Sequence, residues 1–178
     1  GGTSVTSFYN LVLNNSNGAV FTSGQQLSGN LSLLSGALNT NNLFTLTATS
    51  GNTGRIGPIS SSADILNNVT VQQLAPGGST GWALLGSSIS STLNMTAWND
   101  NFAITCVSCP NGYYNFTSIY TYDESAAGSY SASAKYIPIS SIGDNLINGR
   151  GYWVYLGNGF PSTSDILFDV TGPVAKSS

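Results

Sequence analysis

Leu11-Val12-Leu13-Asn14-Asn15 returns twenty residues later as Leu31-Ser32-Leu33-Leu34-Ser35-Gly36, an alternating apolar pair followed each time by residues that favour turns. Alternation with a period of two marks a strand, because successive side chains point to opposite faces. The same pattern extends outward through Val20-Phe21, Leu43-Phe44-Thr45-Leu46 and Val69-Thr70-Val71, and no helical stripe runs through any of it. Recurrence at a fixed spacing fits the stacked rungs of a β-solenoid, in which each repeat buries its inward side chains only against its neighbours. An antiparallel meander would give nearly the same pattern. Residues 1–75 are therefore expected to form a strand-and-turn repeat region, either β-solenoid-like or a meander.

Past Leu74-Ala75-Pro76-Gly77-Gly78 the composition changes: all three Trp, both Cys and every Tyr except Tyr9 lie beyond this point. The change places a module boundary near Pro76, with a second module over 76–178. Its apolar runs, among them Trp82-Ala83-Leu84-Leu85, Ile119-Tyr120-Thr121-Tyr122 and Ile166-Leu167-Phe168, are bounded by Gly, Asn, Ser or Pro. They read as strands of an aromatic-rich β-sandwich or jelly-roll-like module, with large side chains filling the space between two sheets. In Tyr152-Trp153-Val154-Tyr155 the alternation puts Trp153 and Tyr155 in the core and leaves Tyr152 and Val154 to face a second layer or a partner. The expected fold class is all-β throughout.

The totals narrow the function. Only 6% of the 178 residues are charged, where an ordinary globular protein carries about a quarter. Nine Tyr, seven Phe and three Trp separate the chain from disordered sequences of low charge. A net charge of -3 without a basic run excludes nucleic acid and anionic lipid as partners. No stretch approaches the roughly 18 apolar residues of a membrane span, so no membrane insertion is expected. A surface of hydroxyls and amides suits an extracellular setting, and a start at Gly1-Gly2 without Met suggests a processed product or an excised piece.

Without histidine, Ser-His-Asp, Cys-His and zinc-hydrolase chemistry are ruled out. Paired carboxylates offer another route, but Asp123 and Glu124, as strand neighbours, would face opposite ways. The chain is expected not to be an enzyme and to need no cofactor. Cys106 and Cys109 read as a short-range disulfide closing a loop, with free thiols and redox chemistry as alternatives. Asp100 and Asp144 are the residues a structural calcium would use, against the plainer reading of Asx-turns without metal. Arg150 is expected to pair with an acid such as Asp144. Tyr113 and Tyr114, beside Asn111-Gly112, and Tyr152 are the candidate contacts for sugar or for a partner, against the commoner fate of core packing.

The order of several blocks carries a resemblance: Asn68 to Gln72, Pro76 to Gly78, Gly81 to Gly86, Ser118 to Glu124 and Ile147 to Tyr155, preceded by the repeats at Asn10 to Asn15 and Gly29 to Asn39. Together they resemble the repeated modules of large secreted surface proteins of Bacteroidetes, substrates of type IX secretion. The resemblance implies a modular protein serving in adhesion or as a stalk at the cell surface, with no catalytic residues. It also departs from the pattern, because the chain stops at Ser178 without a C-terminal sorting domain; a fragment or a subunit released by processing is expected.

The expected function is that of an extracellular structural or adhesive module, with copies of itself, sister modules or surface glycans as partners. A carbohydrate-binding module attached to a secreted enzyme is the alternative. Thr3 to Leu13 contains no Lys, Pro or other edge protection, so Val5, Phe8, Leu11 and Leu13 at one end, and Ile166, Phe168 and Val170 at the other, are expected to pair strand edges into a filament. The opposing expectation is a monomer with both ends tucked onto their own modules.

Overall fold

A computed structural model describes residues 3–76, 81–90, 93–112, 116–156 and 165–174. The chain is all-β and divides into two compact units: Gly1–Leu74 with Ile89–Ser91 and Leu167–Ser178, and Ala75–Ser88 with Thr92–Ile166. No helix among the described residues is long and apolar enough to cross a membrane.

The first unit is a short parallel β-solenoid. Its first coil is built from β1 (Thr6–Phe8), β2 (Leu11–Asn14) and β3 (Ala19–Val20), and its second from β4 (Gln25–Leu27) and the long β5 (Asn30–Asn39). The third coil uses β6 (Phe44–Leu46), β7 (Arg55–Ile59) and β8 (Ala63–Leu66), after which β9 (Val69–Ala75) begins a fourth. Every pairing between successive coils is parallel: Phe8 sits over Leu27 and Leu27 over Leu46, Leu11 over Leu31 and Leu31 over Ile56, Ala19 over Leu38 and Leu38 over Ile65. The twenty-residue recurrence of Leu11/Leu13 as Leu31/Leu33 is thus the register of adjacent coils, and the solenoid rather than the meander is the form adopted.

Stacking explains both the core and the composition. Leu27, Leu31, Leu33, Leu38, Phe44, Leu46, Ile65 and Val69 are buried inside the coils, while Phe8, Leu11 and Leu13 of the first coil are only partly covered. At the corners, amides and hydroxyls of one coil serve the backbone of the next. Asn30 N–H donates to Asn10 Oδ1 (2.8 Å), Asn41 Nδ2 to the Phe21 carbonyl (2.8 Å), and the buried Thr40 hydroxyl to the carbonyl of Asn68 (2.7 Å). Corner backbone cannot all join the strand ladders and must be paired by side chains, which is why Asn and Thr are so frequent here.

The second unit contains β10 (Gly81–Gly86), β11 (Leu93–Asn94), a one-turn helix α1 (Thr96–Asn99), β12 (Ile119–Tyr122), β13 (Tyr136–Pro138), β14 (Asn145–Leu146) and β15 (Gly151–Leu156). Four of these form an antiparallel sheet in the order β10-β15-β12-β13, and β11 pairs with β14 in a separate ribbon. Tyr152, Val154, Leu156 and Ile119 are buried on one face of the sheet. The Trp98 ring of α1 meets Tyr152 edge-on at 5.8 Å, and the Tyr152 hydroxyl donates to the Asn145 carbonyl and accepts from Ile147 N–H. The layer opposite the sheet thus includes a short helix and a ribbon, where the sequence suggested a second full sheet. The final strand, β16 (Ile166–Gly172), expected within the second module, instead lies beside β9 in the solenoid sheet ordered β1-β4-β6-β9-β16.

These placements correct the expected assembly edges. Val5 precedes β1 and is exposed, and the segment from Thr3 to Leu13 turns a corner at Tyr9-Asn10 instead of running as one strand. Phe168 and Val170 are buried and Ile166 is partly so, because β16 is already committed to the solenoid sheet through β9. At the other end β1, β2 and β3 each pair on one side only among the described residues, so Phe8, Leu11 and Leu13 do border an open edge.

The second coil turns within β5 at Gly36, whose φ of +81° lies in the left-handed region and whose Cβ, were one present, would meet the Asn15 carbonyl oxygen at 1.8 Å. Both the conformation and the close approach require glycine. Gly36→Ala is expected to cost at least about 2 kcal/mol in urea unfolding. Gly51→Ala, where a Cβ meets nothing within 4 Å, should stay within about 0.5 kcal/mol of the native chain. Equal stability of the two variants would contradict the coil geometry.

Candidate binding site

An antiparallel sheet with one buried face normally turns polar side chains outward on the other. The four-stranded sheet of the second unit does not. Register places Trp82 beside Tyr155, Leu84 beside Trp153, Trp153 beside Tyr120, and Tyr122 beside Tyr136, so aromatic side chains run across all four strands on the face opposite Tyr152 and Val154. Trp82 is 47% exposed, Leu84 67% and Trp153 38%.

Between them lies an open, apolar groove of about 320 Å³ lined by Trp82, Tyr120, Tyr136 and Trp153. Its walls are braced by edge-to-face contacts: Trp82 meets Tyr155 at 5.3 Å, Tyr120 at 5.6 Å and Phe116 at 6.5 Å, and Phe116 meets Tyr155 at 4.9 Å. Such packing holds the rings without consuming their polar tips. The indole N–H groups of Trp82 and Trp153 and the hydroxyls of Tyr120 and Tyr136 make no hydrogen bond to a described residue.

Lys135 holds the loop that joins β12 to β13. Its side chain is buried, its ammonium donates to the carbonyls of Glu124 (3.2 Å) and Ala126, and it lies 5.8 Å from the Tyr122 ring centre. Tyr122 in turn meets Tyr136 at 5.3 Å. The connection between β12 and β13 is thereby tied back beside the groove. Asp123 caps the same turn: hydrogen bonds first from the Ser125 hydroxyl and then from the Ser125 backbone hold its carboxyl below the usual carboxylate range.

Several sequence expectations resolve differently. Tyr152 is fully buried with both lone pair and proton of its hydroxyl engaged, so it is not a surface contact. The faces of β15 are the reverse of those expected: Tyr152 and Val154 point inward, while Trp153 points outward. Val154 and Leu156 carry no polar atom, and Tyr152 finds partners for its one, so this is the face that desolvates at lower cost. Tyr113 and Tyr114 lie outside the described residues.

The structure pairs Cys106 with Cys109 in a disulfide across the turn. Asp144 does not pair with Arg150. Its carboxylate accepts instead from Ser140 N–H (2.6 Å), the Ser140 hydroxyl and Ser141 N–H, closing a local turn. Asp100 is the C-cap residue of α1, and no group of three or more Cys, Asp or Glu is arranged for a metal among the described residues.

The residues that line the groove were not singled out from sequence. The alternation in Trp82-Ala83-Leu84 and in Tyr120-Thr121-Tyr122 was the available signal, since it puts two large apolar groups on one face with small or polar residues between them. Comparison of the chain with protein-family models, with curated proteins and with solved structures found no match.

Proposed function

We propose that this chain is a non-catalytic, extracellular adhesive module of a bacterial surface protein that binds saccharide through the groove lined by Trp82, Tyr120, Tyr136 and Trp153. The groove carries this reading. A pyranose ring offers flat C–H faces that suit aromatic walls and an equator of hydroxyls that suits free indole N–H and phenol groups, and this groove combines the two. An exposed apolar face on a sheet otherwise built to be soluble marks an interaction surface. The absence of histidine from the sequence and the scarcity of charge support recognition over catalysis. A disulfide-closed turn supports an oxidising compartment.

On a glycan array the chain is expected to bind neutral oligosaccharides selectively. Trp153→Ala and Tyr136→Ala should each weaken the best ligand by about tenfold, equivalent to roughly 1.4 kcal/mol, with the unfolding midpoint little changed. Absence of any glycan binding, or full binding by both variants, would dispose of this reading.

A second reading, assembly with copies of the same chain, is favoured by the first coil. Its strands are unpaired on one side among the described residues, and Phe8, Leu11 and Leu13 are only partly covered. A strand from a second copy would complete both hydrogen bonding and burial, and stacking of this kind does not close on itself. Sedimentation at rising concentration should then show self-association that is lost in Val12→Lys, which places a charge on the open edge strand. A monomer at every concentration would refute it.

A further inference from the structure

The solenoid unit carries its own groove, built at one corner of the coils. In the first coil the chain passes from β1 to β2 through Tyr9-Asn10, and in the second from β4 to β5 through Ser28-Gly29. In the third coil the same corner is much longer. Phe44 of β6 lies 19 positions after its partner Gln25, whereas Val69 follows Phe44 by 25, and the six extra residues correspond in number to the insertion 48–53.

That insertion is a hydrogen-bonded hairpin. Ala48 bridges Thr53, Thr49 N–H donates to the Asn52 carbonyl (2.8 Å), and Asn52 N–H donates to the Thr49 hydroxyl (3.1 Å). Its base is tied to the coil beneath, with Thr47 N–H donating to the Leu27 carbonyl (2.9 Å) and Arg55 N–H to that of Gly29 (2.8 Å).

Between the hairpin and the two shorter corners is a largely polar groove of about 400 Å³. Tyr9, 63% exposed, and Arg55 both line it, with Ser28, Ser50 and Thr53. Arg55 is the only cation among the described residues of this unit, and its guanidinium donates to no described residue. A planar fork of donors without a partner among the described residues, an exposed aromatic ring and several hydroxyl-bearing residues therefore share one concavity. The fork matches a carboxylate in two-point geometry, the ring matches the C–H face of a sugar, and the hydroxyls match its equatorial groups.

We propose that this corner groove is a second ligand site, specific for a glycan that bears a carboxylate on its sugar ring, a uronate. Arg55 takes the carboxylate and Tyr9 stacks on the sugar that carries it. The site goes beyond the reading given for the aromatic groove, since it uses other residues in the other unit.

The test is titration calorimetry of the full chain with a hexamer of 1,4-linked galacturonate, with the same hexamer as its methyl ester, and with a sulfated oligosaccharide that has no carboxylate. The acid form should bind at least tenfold more tightly than either control and weaken with added salt. Arg55→Gln, which keeps a polar hydrogen-bonding side chain, though a shorter one, but not the charge, should lose that tenfold preference, and Tyr9→Ala should weaken acid and ester alike. Both side chains are exposed, and the fold can be checked by circular dichroism. Trp153→Ala should leave this binding unchanged, so failure of one site is separable from failure of the other. No binding of the acid hexamer, equal binding of acid and ester, sulfate recognised as well as carboxylate, or full affinity in Arg55→Gln would each overturn the proposal.

Discussion

Backbone hydrogen bonding between successive coils is the constraint on which the solenoid unit rests. A coil of parallel strands pairs its N–H and C=O groups only with the coil above and the coil below, so a residue facing inward in one coil must sit over an inward residue in the next. Leu11, Leu31 and Ile56 obey this rule, as do Ala19, Leu38 and Ile65. The corners obey a related one, since backbone that leaves the ladder has to be paired by side chains that reach the neighbouring coil. Asn10, Asn41 and Thr40 do so. A sequence rich in Asn, Ser and Thr and poor in charge follows from that demand, because short neutral groups pair a buried carbonyl without the desolvation cost of an ion.

The second unit solves a different problem. Its sheet has large apolar side chains on both faces, and only one face can be covered by α1 and the short ribbon. Tyr152 goes inward because the Asn145 carbonyl of β14 and the Ile147 N–H just after it both serve its hydroxyl. Trp82, Trp153 and their neighbours remain outward; edge-to-face contacts with Tyr120 and Tyr155 hold Trp82 in place, and neither indole N–H bonds to a described residue. Buried Lys135, bonded to the carbonyls of Glu124 and Ala126, ties back the loop between β12 and β13.

The solenoid was readable in the sequence where the coils are equal in length. Leu11/Leu13 and Leu31/Leu33 stand twenty apart because nothing interrupts the path between them; the register of the third coil is hidden because its inserted hairpin moves the next partner of Leu31 out to Ile56. A change in composition near Pro76 locates the start of the second unit at Ala75, yet it says nothing of β16, which is distant in sequence from β9 and pairs with it all the same. The aromatic groove was less legible still. Its four residues come from β10, β12, β13 and β15, and their approach depends on strand order. In Tyr152-Trp153-Val154-Tyr155, where both faces are apolar, alternation identifies the two faces but not which one is buried.

Saccharide binding on the outward aromatic face of the sheet, as proposed, is read from the indole N–H signals of the three tryptophans in a nitrogen-15 labelled sample titrated with neutral hexasaccharides of glucose, xylose and mannose. Trp82 and Trp153 line the groove with free N–H groups, while Trp98 is buried against Tyr152. Saturable shifts of the Trp82 and Trp153 signals are expected with at least one of these sugars while Trp98 stays in place. Three signals unmoved by every sugar, or movement of Trp98 alone, would contradict it.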